Sequence, residues 1–131
     1  MIKAKKNLGQ NFLIDEKILK KITDITEIKG KTILEVGPGT GNLSSFILKK
    51  NPKKFFVVEK DHRLISSLQE KFQNKIDIIN GDILNIDEKK FSQDKLIVFG
   101  NLPYNISTEI LCKWILNLND NNFWFENMTL M

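Results

Sequence analysis

The 131-residue chain has one cysteine, one histidine, one arginine and three prolines. A single thiol, Cys112, rules out an internal disulfide and any cysteine-cluster zinc or iron–sulfur site. On a mostly apolar helical stretch, Cys112 is expected to pack as a small hydrophobe. His62 sits beside Asp61 at a helix start and has no second histidine, so it is expected to face solvent and no metal site is expected. No apolar run approaches the roughly 18 residues of a membrane span. The N-terminus, MIKAKKNLGQNFL, lacks the apolar core of a secretory signal. A reducing cytoplasm is the default expectation, with no membrane partner; composition leaves the oligomeric state open, and a monomer is expected. With 41% hydrophobic and 27% charged residues and no repeat or linker, the chain reads as one globular domain.

Charge is unevenly spread. Residues 1–31 hold eight lysines and four acids, while residues 32–131 hold twelve charges of each sign, so the whole +4 surplus sits at the N-terminal end. That end is either a solubilising face or a contact for phosphates.

Hydrophobic spacing predicts alternating strands and helices. Residues 15–26 place Ile14, Ile18, Leu19, Ile22 and Ile25 at helical intervals, with Asp15 as the N-cap. Apolar runs at 32–36 (TILEV), 55–59 (FFVVE), 76–80 (IDIIN) and 96–100 (LIVFG) read as strands, and MTLM at the end as the beginning of a fifth. Between them lie a helix from Asn42, one capped by Asp61 with Leu64, Ile65, Leu68 and Phe72 on one face, and one opened by Ser107 or Thr108 with Ile110, Leu111, Trp114, Ile115 and Leu118 apolar. Continuously apolar strands alternating with helices imply an α/β, Rossmann-like parallel sheet covered on both faces. Such sheets bind ligands beyond the carboxyl ends of their strands.

Each strand exit carries a suggestive group. Gly37-Pro38-Gly39-Thr40-Gly41 turns sharply between a strand and a helix and lets backbone approach a ligand. A dinucleotide fingerprint would want glycine at 42, where Asn42 stands, and a phosphate-binding loop would want a G-K-[ST] step that is absent. The ligand is therefore expected to be adenosine-like without a pyrophosphate; a nicotinamide oxidoreductase is the competing reading. Glu59 can accept both ribose hydroxyls, unless it is a surface residue paired with Lys60. Asp82 can accept from an adenine amine, or merely close a turn with Gly81. Asn101-Leu102-Pro103-Tyr104 offers two acceptors, the Asn101 amide oxygen and the Leu102 carbonyl, for a planar amino group. Pro103 fixes the exit geometry, and Tyr104 gives a face on which a base stacks for roughly 1–3 kcal/mol.

Gln10-Asn11-Phe12-Leu13, the stretch from Glu35 to Gly41, Val58-Glu59-Lys60-Asp61, Gly81-Asp82 and Asn101-Leu102-Pro103-Tyr104-Asn105-Ile106-Ser107 together resemble the small-subunit rRNA adenine dimethyltransferases, the KsgA family. The resemblance runs through essentially the whole chain. It implies a class I methyltransferase sheet and S-adenosylmethionine as methyl donor. It places cofactor contacts at Asn11, Leu13, Gly37, Gly39, Gly41, Glu59, Asp82 and Asn101, and the catalytic step at Asn101, Leu102, Pro103 and Tyr104. The implied substrate is two adjacent adenosines near the 3′ end of 16S rRNA in the 30S particle, each converted to N(6),N(6)-dimethyladenosine. Two readings compete with this: a truncated, non-catalytic remnant that binds S-adenosylmethionine weakly or not at all, and a methyltransferase of 23S rRNA or DNA adenine, which has a similar site. Family members are considerably longer, so residues 1–131 are expected to form a C-terminally truncated sheet without the family's C-terminal helical domain, with residues 1–31 a basic segment and helix.

Overall fold

Continuous apolar runs become the strands of one parallel sheet. The computed structural model describes residues 2, 3, 5, 15–118 and 123–131. In it, β1 (Thr32–Val36), β2 (Lys54–Glu59), β3 (Asp77–Asn80), β4 (Leu96–Gly100) and β5 (Phe125–Leu130) pair in the order β3-β2-β1-β4-β5. Every pairing is parallel. The order reverses between β1 and β4. The switch point therefore lies where β1 enters the glycine turn and β4 enters the Asn101–Tyr104 step.

Strand alternation divides the core into two layers. Ile33, Phe55, Val57, Ile97 and Phe99 face α1 (Glu16–Asp24), α2 (Asn42–Leu48) and α3 (His62–Phe72), where they meet Leu19, Ile22, Leu43, Ile47, Leu64 and Leu68. Leu34, Val36, Val58, Leu96 and Val98 face the opposite way, toward Ile110 and Trp114 of α4 (Ser107–Leu116). β1 and β4 are buried along their whole length, as both-face coverage requires, and β3 and β5 at the edges are not. Asp15 caps α1 by accepting from the Lys17 amide at 2.9 Å, and Asp61 caps α3 by accepting from the Arg63 amide at 3.1 Å.

Several expectations need correction. Cys112 is exposed. One stripe of α4 reaches the sheet, and Ile110 and Trp114, four apart, occupy it; Cys112 falls on the outer side with Ile115 and Leu116, which are 63% and 81% exposed. On α1 only Leu19, Ile22 and Thr23 are buried, while Ile18 and the C-cap Ile25 are exposed; Ile14 lies outside the described residues. β5 begins at Phe125, earlier than MTLM implied. Polar Glu126 and Asn127 hide its strand character, and an irregularity between Leu96 and Ile97 accommodates its pairing. Three short 3-10 turns (Gln73–Lys75, Ile83–Asn85, Glu88–Lys90) had no sequence signal. They serve packing. Buried Glu88 accepts from the Trp114 indole at 2.6 Å and from Lys113 at 2.7 Å, and Lys113 also donates to the Ile83 carbonyl at 2.5 Å, tying α4 to the loop that follows β3.

Candidate functional site

The carboxyl ends of β1, β2, β3 and β4 meet in one crevice. Gly37, Glu59, Gly81, Asp82 and Pro103 line it, with Val36, Val58, Ile83 and Ile106 as its apolar part. No group of three or more potential metal ligands occurs among the described residues. His62 is exposed, as its isolation predicted. Asn11 and Leu13 lie outside the described residues.

The glycine turn is shaped by three close approaches. Gly37 has φ +71°, and its amide donates to the Val58 carbonyl at 3.0 Å. A Cβ there would stand 2.8 Å from the Asn101 carbonyl oxygen. Backbone thus meets backbone across the switch point, and only glycine permits it. Gly39, at φ +60°, donates its amide to Glu59 Oε2 at 3.2 Å. Gly41 opens α2 at φ +85°; where its Cβ would be, the Phe72 ring lies 2.6 Å away, so this glycine lets α2 pack against α3.

Glu59 is 6% exposed. Its Oε1 accepts from the Asp61 amide at 2.9 Å, while Oε2 holds Gly39. Burial pushes its pKa above the ordinary carboxylate value and neighbouring Asp61 adds to this, against the opposing backbone hydrogen bonds. A carboxylate has about four acceptor sites, more than these amides occupy, so it can also accept from a ligand's hydroxyl. Glu59 is therefore no surface partner of Lys60; Lys60 pairs with Asp82 at 3.1 Å. Asp61, also buried, is gripped by the chain's one arginine: Arg63 Nε lies 3.0 Å from each carboxylate oxygen.

Asp82 both closes a turn and lines the crevice. Its Oδ1 accepts from the Leu84 amide at 3.0 Å. Burial opposes its ionisation, but the Leu84 amide, Lys60 and Lys113 outweigh that and hold its pKa below the ordinary carboxylate value. After β4, Asn101 is half-buried, Leu102 packs its side chain inward at 6% exposure, and Pro103 lines the crevice. The Tyr104 side chain stands 69% exposed, at the start of the turn into α4, where the Ser107 hydroxyl donates to the Tyr104 carbonyl at 3.3 Å. Of the expected groups, Gly37, Glu59, Asp82 and Pro103 line the crevice, Asn101 meets Gly37 through its backbone carbonyl, and Tyr104 stands in solvent.

Sequence reasoning assigned no role to one buried pair beneath the turn. Glu35, 1% exposed in the middle of β1, lies 2.5 Å from the hydroxyl of buried Ser44 on α2. Burial drives its pKa up to about 8, and the charge of Glu59 reinforces this. Neutral Glu35 thus pins α2 to β1 directly under the glycines. Its signal was legible: one acid inside an otherwise apolar strand, nine residues before Ser44.

The family described as Ribosomal RNA adenine dimethylase matches residues 1–131. Ribosomal RNA small subunit methyltransferase A of Pelagibacter ubique is 62% identical over 99% of this chain and 49% of its own length. The protein of the same name from Wolbachia pipientis is 39% identical over 100% of this chain and 50% of its own length. The chain thus spans about half the length of these curated relatives. Among solved structures, a dimethyladenosine transferase from Plasmodium falciparum superposes with a TM-score of 0.70 at 29% identity, covering 86% of this chain and 40% of that one. The 23S rRNA methyltransferase ErmE gives 0.69 at 30% identity, covering 80% and 43%. The glycine turn, the two strand-end carboxylates and the Asn101–Tyr104 step are thus set in a sheet like those of a dimethyladenosine transferase and a 23S rRNA methyltransferase, and the chain belongs to the ribosomal RNA adenine dimethylase family.

Proposed function

We propose that this chain supplies the cofactor-binding and methyl-transferring part of a 16S rRNA adenine N(6),N(6)-dimethyltransferase that acts in the cytoplasm on two adjacent adenosines of the 30S particle during ribosome assembly. One observation carries the reading: the Gly37 backbone lies so close to the Asn101 carbonyl that no side chain fits between them. Gly37 of the donor-side turn and Pro103 of the acceptor-side step line one crevice with Glu59 and Asp82.

The residues fit S-adenosylmethionine. Gly37 lines the crevice, and its approach to the Asn101 carbonyl leaves no room for a Cβ. Glu59 has spare acceptor capacity for a ribose, and Asp82, held ionised, can accept from an adenine amine. Gly39 and Gly41 shape the turn, and Asn11 and Leu13 are assigned to the same ligand by the family resemblance. S-adenosylmethionine, when bound, supplies an activated methyl group. The chain's own work is positioning. Asn101 Oδ1 and the Leu102 carbonyl accept the two amine hydrogens of the target adenine and turn its nitrogen lone pair toward the donor. Pro103 fixes that geometry. Tyr104, at the rim, stacks on a base that has left its helix.

The test is transfer of labelled methyl groups to undermethylated 30S particles. Asn101→Ala should lower the rate by about 100-fold or more, as loss of a positioning group does. Robust transfer by that variant overturns the assignment. The likeness to ErmE favours a second reading, in which the adenine belongs to 23S rRNA; competition between the two RNAs decides between them.

A further inference from the structure

A second concavity lies away from the crevice, between α2 and the C-terminal end of α3, over the start of β2. Phe55 and Phe72, both buried, form its floor. Lys49, Lys53, Lys54, Lys71 and Lys75 line its walls, and all five are exposed. No acidic residue lines it. None occurs in the sequence from Val36 through Val58. Lys53 reaches Asp94 at 2.8 Å on the rim, and the other four make no ion pair among the described residues.

A merely solubilising face would mix both signs of charge. Helix chemistry accounts for only part of the cluster. A helix C-terminus carries about half a negative charge and attracts a nearby cation. Lys49, at the end of α2, and Lys71, in the last turn of α3, fill that role. Lys53, Lys54 and Lys75 belong to no α-helix. The formal neutrality of residues 32–131 also misleads: Glu35 and Glu59 are buried, while buried Asp61 and Glu88 are neutralised by Arg63 and Lys113. The surface that solvent meets is more basic than the count.

We propose that this groove docks the phosphodiester backbone of RNA at a distance from the reacting base. Lysines are flexible point charges that grip phosphate without reading sequence. Lys54 and Glu59 begin and end the same strand, about 16 Å apart at 3.3 Å per residue. A nucleoside in the crevice cannot span that distance; a folded RNA can. The inference rests on the RNA reading above and adds a grip outside the crevice.

The test is anisotropy of a labelled RNA hairpin with the 131-residue chain across a salt series, alongside thermal melts and calorimetry with S-adenosylmethionine. Lys54→Gln with Lys75→Gln should flatten the slope of log affinity against log salt by about 1.5 and weaken binding roughly tenfold or more, since each phosphate contact contributes about 0.7–0.9 to the slope. Melting should not change. Lys89→Gln with Lys90→Gln, which removes two exposed lysines on the α4 side of the sheet, should leave the slope intact. Equal losses in both pairs, no RNA binding by the parent chain, or a groove effect confined to anionic phosphatidylglycerol vesicles would each overturn the proposal. Absence of S-adenosylmethionine binding would sink the methyltransferase reading while leaving the salt slopes to judge the groove.

Discussion

The two ends of β2 make opposite kinds of surface from similar materials. At its carboxyl end, Glu59 and neighbouring Asp61 are buried, and every oxygen is engaged by a backbone amide or by Arg63. At its amino end, Lys53 and Lys54 are exposed among further lysines over an aromatic floor. A short carboxylate can be fixed by amides at a strand exit, because the loop supplies donors in set directions. A long ammonium chain keeps its head in water and buries only its stem. The first surface selects a ligand's shape, and the second selects only its charge.

The largest effect should come from breaking the shape-selective end. Gly37→Ala must push a methyl group against the Asn101 carbonyl in a left-handed backbone. Stability should fall by about 2–4 kcal/mol, combining roughly 1–2 kcal/mol of strain with overpacking, and methyl transfer should be lost. Gly30 has the same φ of +71° with nothing within 4 Å of a Cβ, so Gly30→Ala should cost only the strain. Equal melting temperatures for the two variants would show that the approach to Asn101 is unimportant. Glu59→Gln comes next. It keeps one acceptor where two amides need two, so an N–H is left unpaired at about 1–2 kcal/mol. S-adenosylmethionine affinity should drop roughly tenfold by calorimetry, with the RNA salt slope unchanged.

A pH-dependent effect should appear at Glu35, under the glycine turn. Glu35 keeps its proton in the fold until about pH 8, whereas the unfolded chain releases it near 4.5. Between those values the folded state holds the extra proton, so stability falls as pH rises. The contribution of neutral Glu35 is fully present below pH 4.5 and is lost as pH climbs to about 8. Glu35→Gln cannot ionise and can keep the contact with Ser44. Its melting temperature should gain steadily on the parent from about pH 5 to about pH 8 and level off above. A constant difference across that range would refute the burial of a neutral acid. The lysine end should respond least: Lys54→Gln with Lys75→Gln should shift stability by no more than about 0.5 kcal/mol.

The central strands were legible because continuous apolar runs have no alternative placement: β1 and β4 fall at 32–36 and 96–100 as read. The polar exits at Gly37, Glu59, Asp82 and Asn101 were legible for the same reason, since a buried strand ends where polarity returns. Less visible were features that depend on which neighbour arrives. Helical spacing made Ile115 and Cys112 look as inward as Ile110, but α4 meets the sheet along one stripe, and half-buried Lys113 turns toward Glu88. Pairing of Glu88 with Trp114 joins residues 26 apart, beyond any local pattern. The lysine groove was hidden in the same way: its residues come from separate segments, and the count of charges conceals four acids in the interior.

The outward position of Cys112 has a practical consequence. A thiol-reactive dye has one address on this chain, and that address is already in solvent. It rides on the helix that follows Tyr104. A maleimide fluorophore placed there without any engineered residue should sense RNA arriving at the tyrosine rim, and stay dark to RNA held only by the lysines.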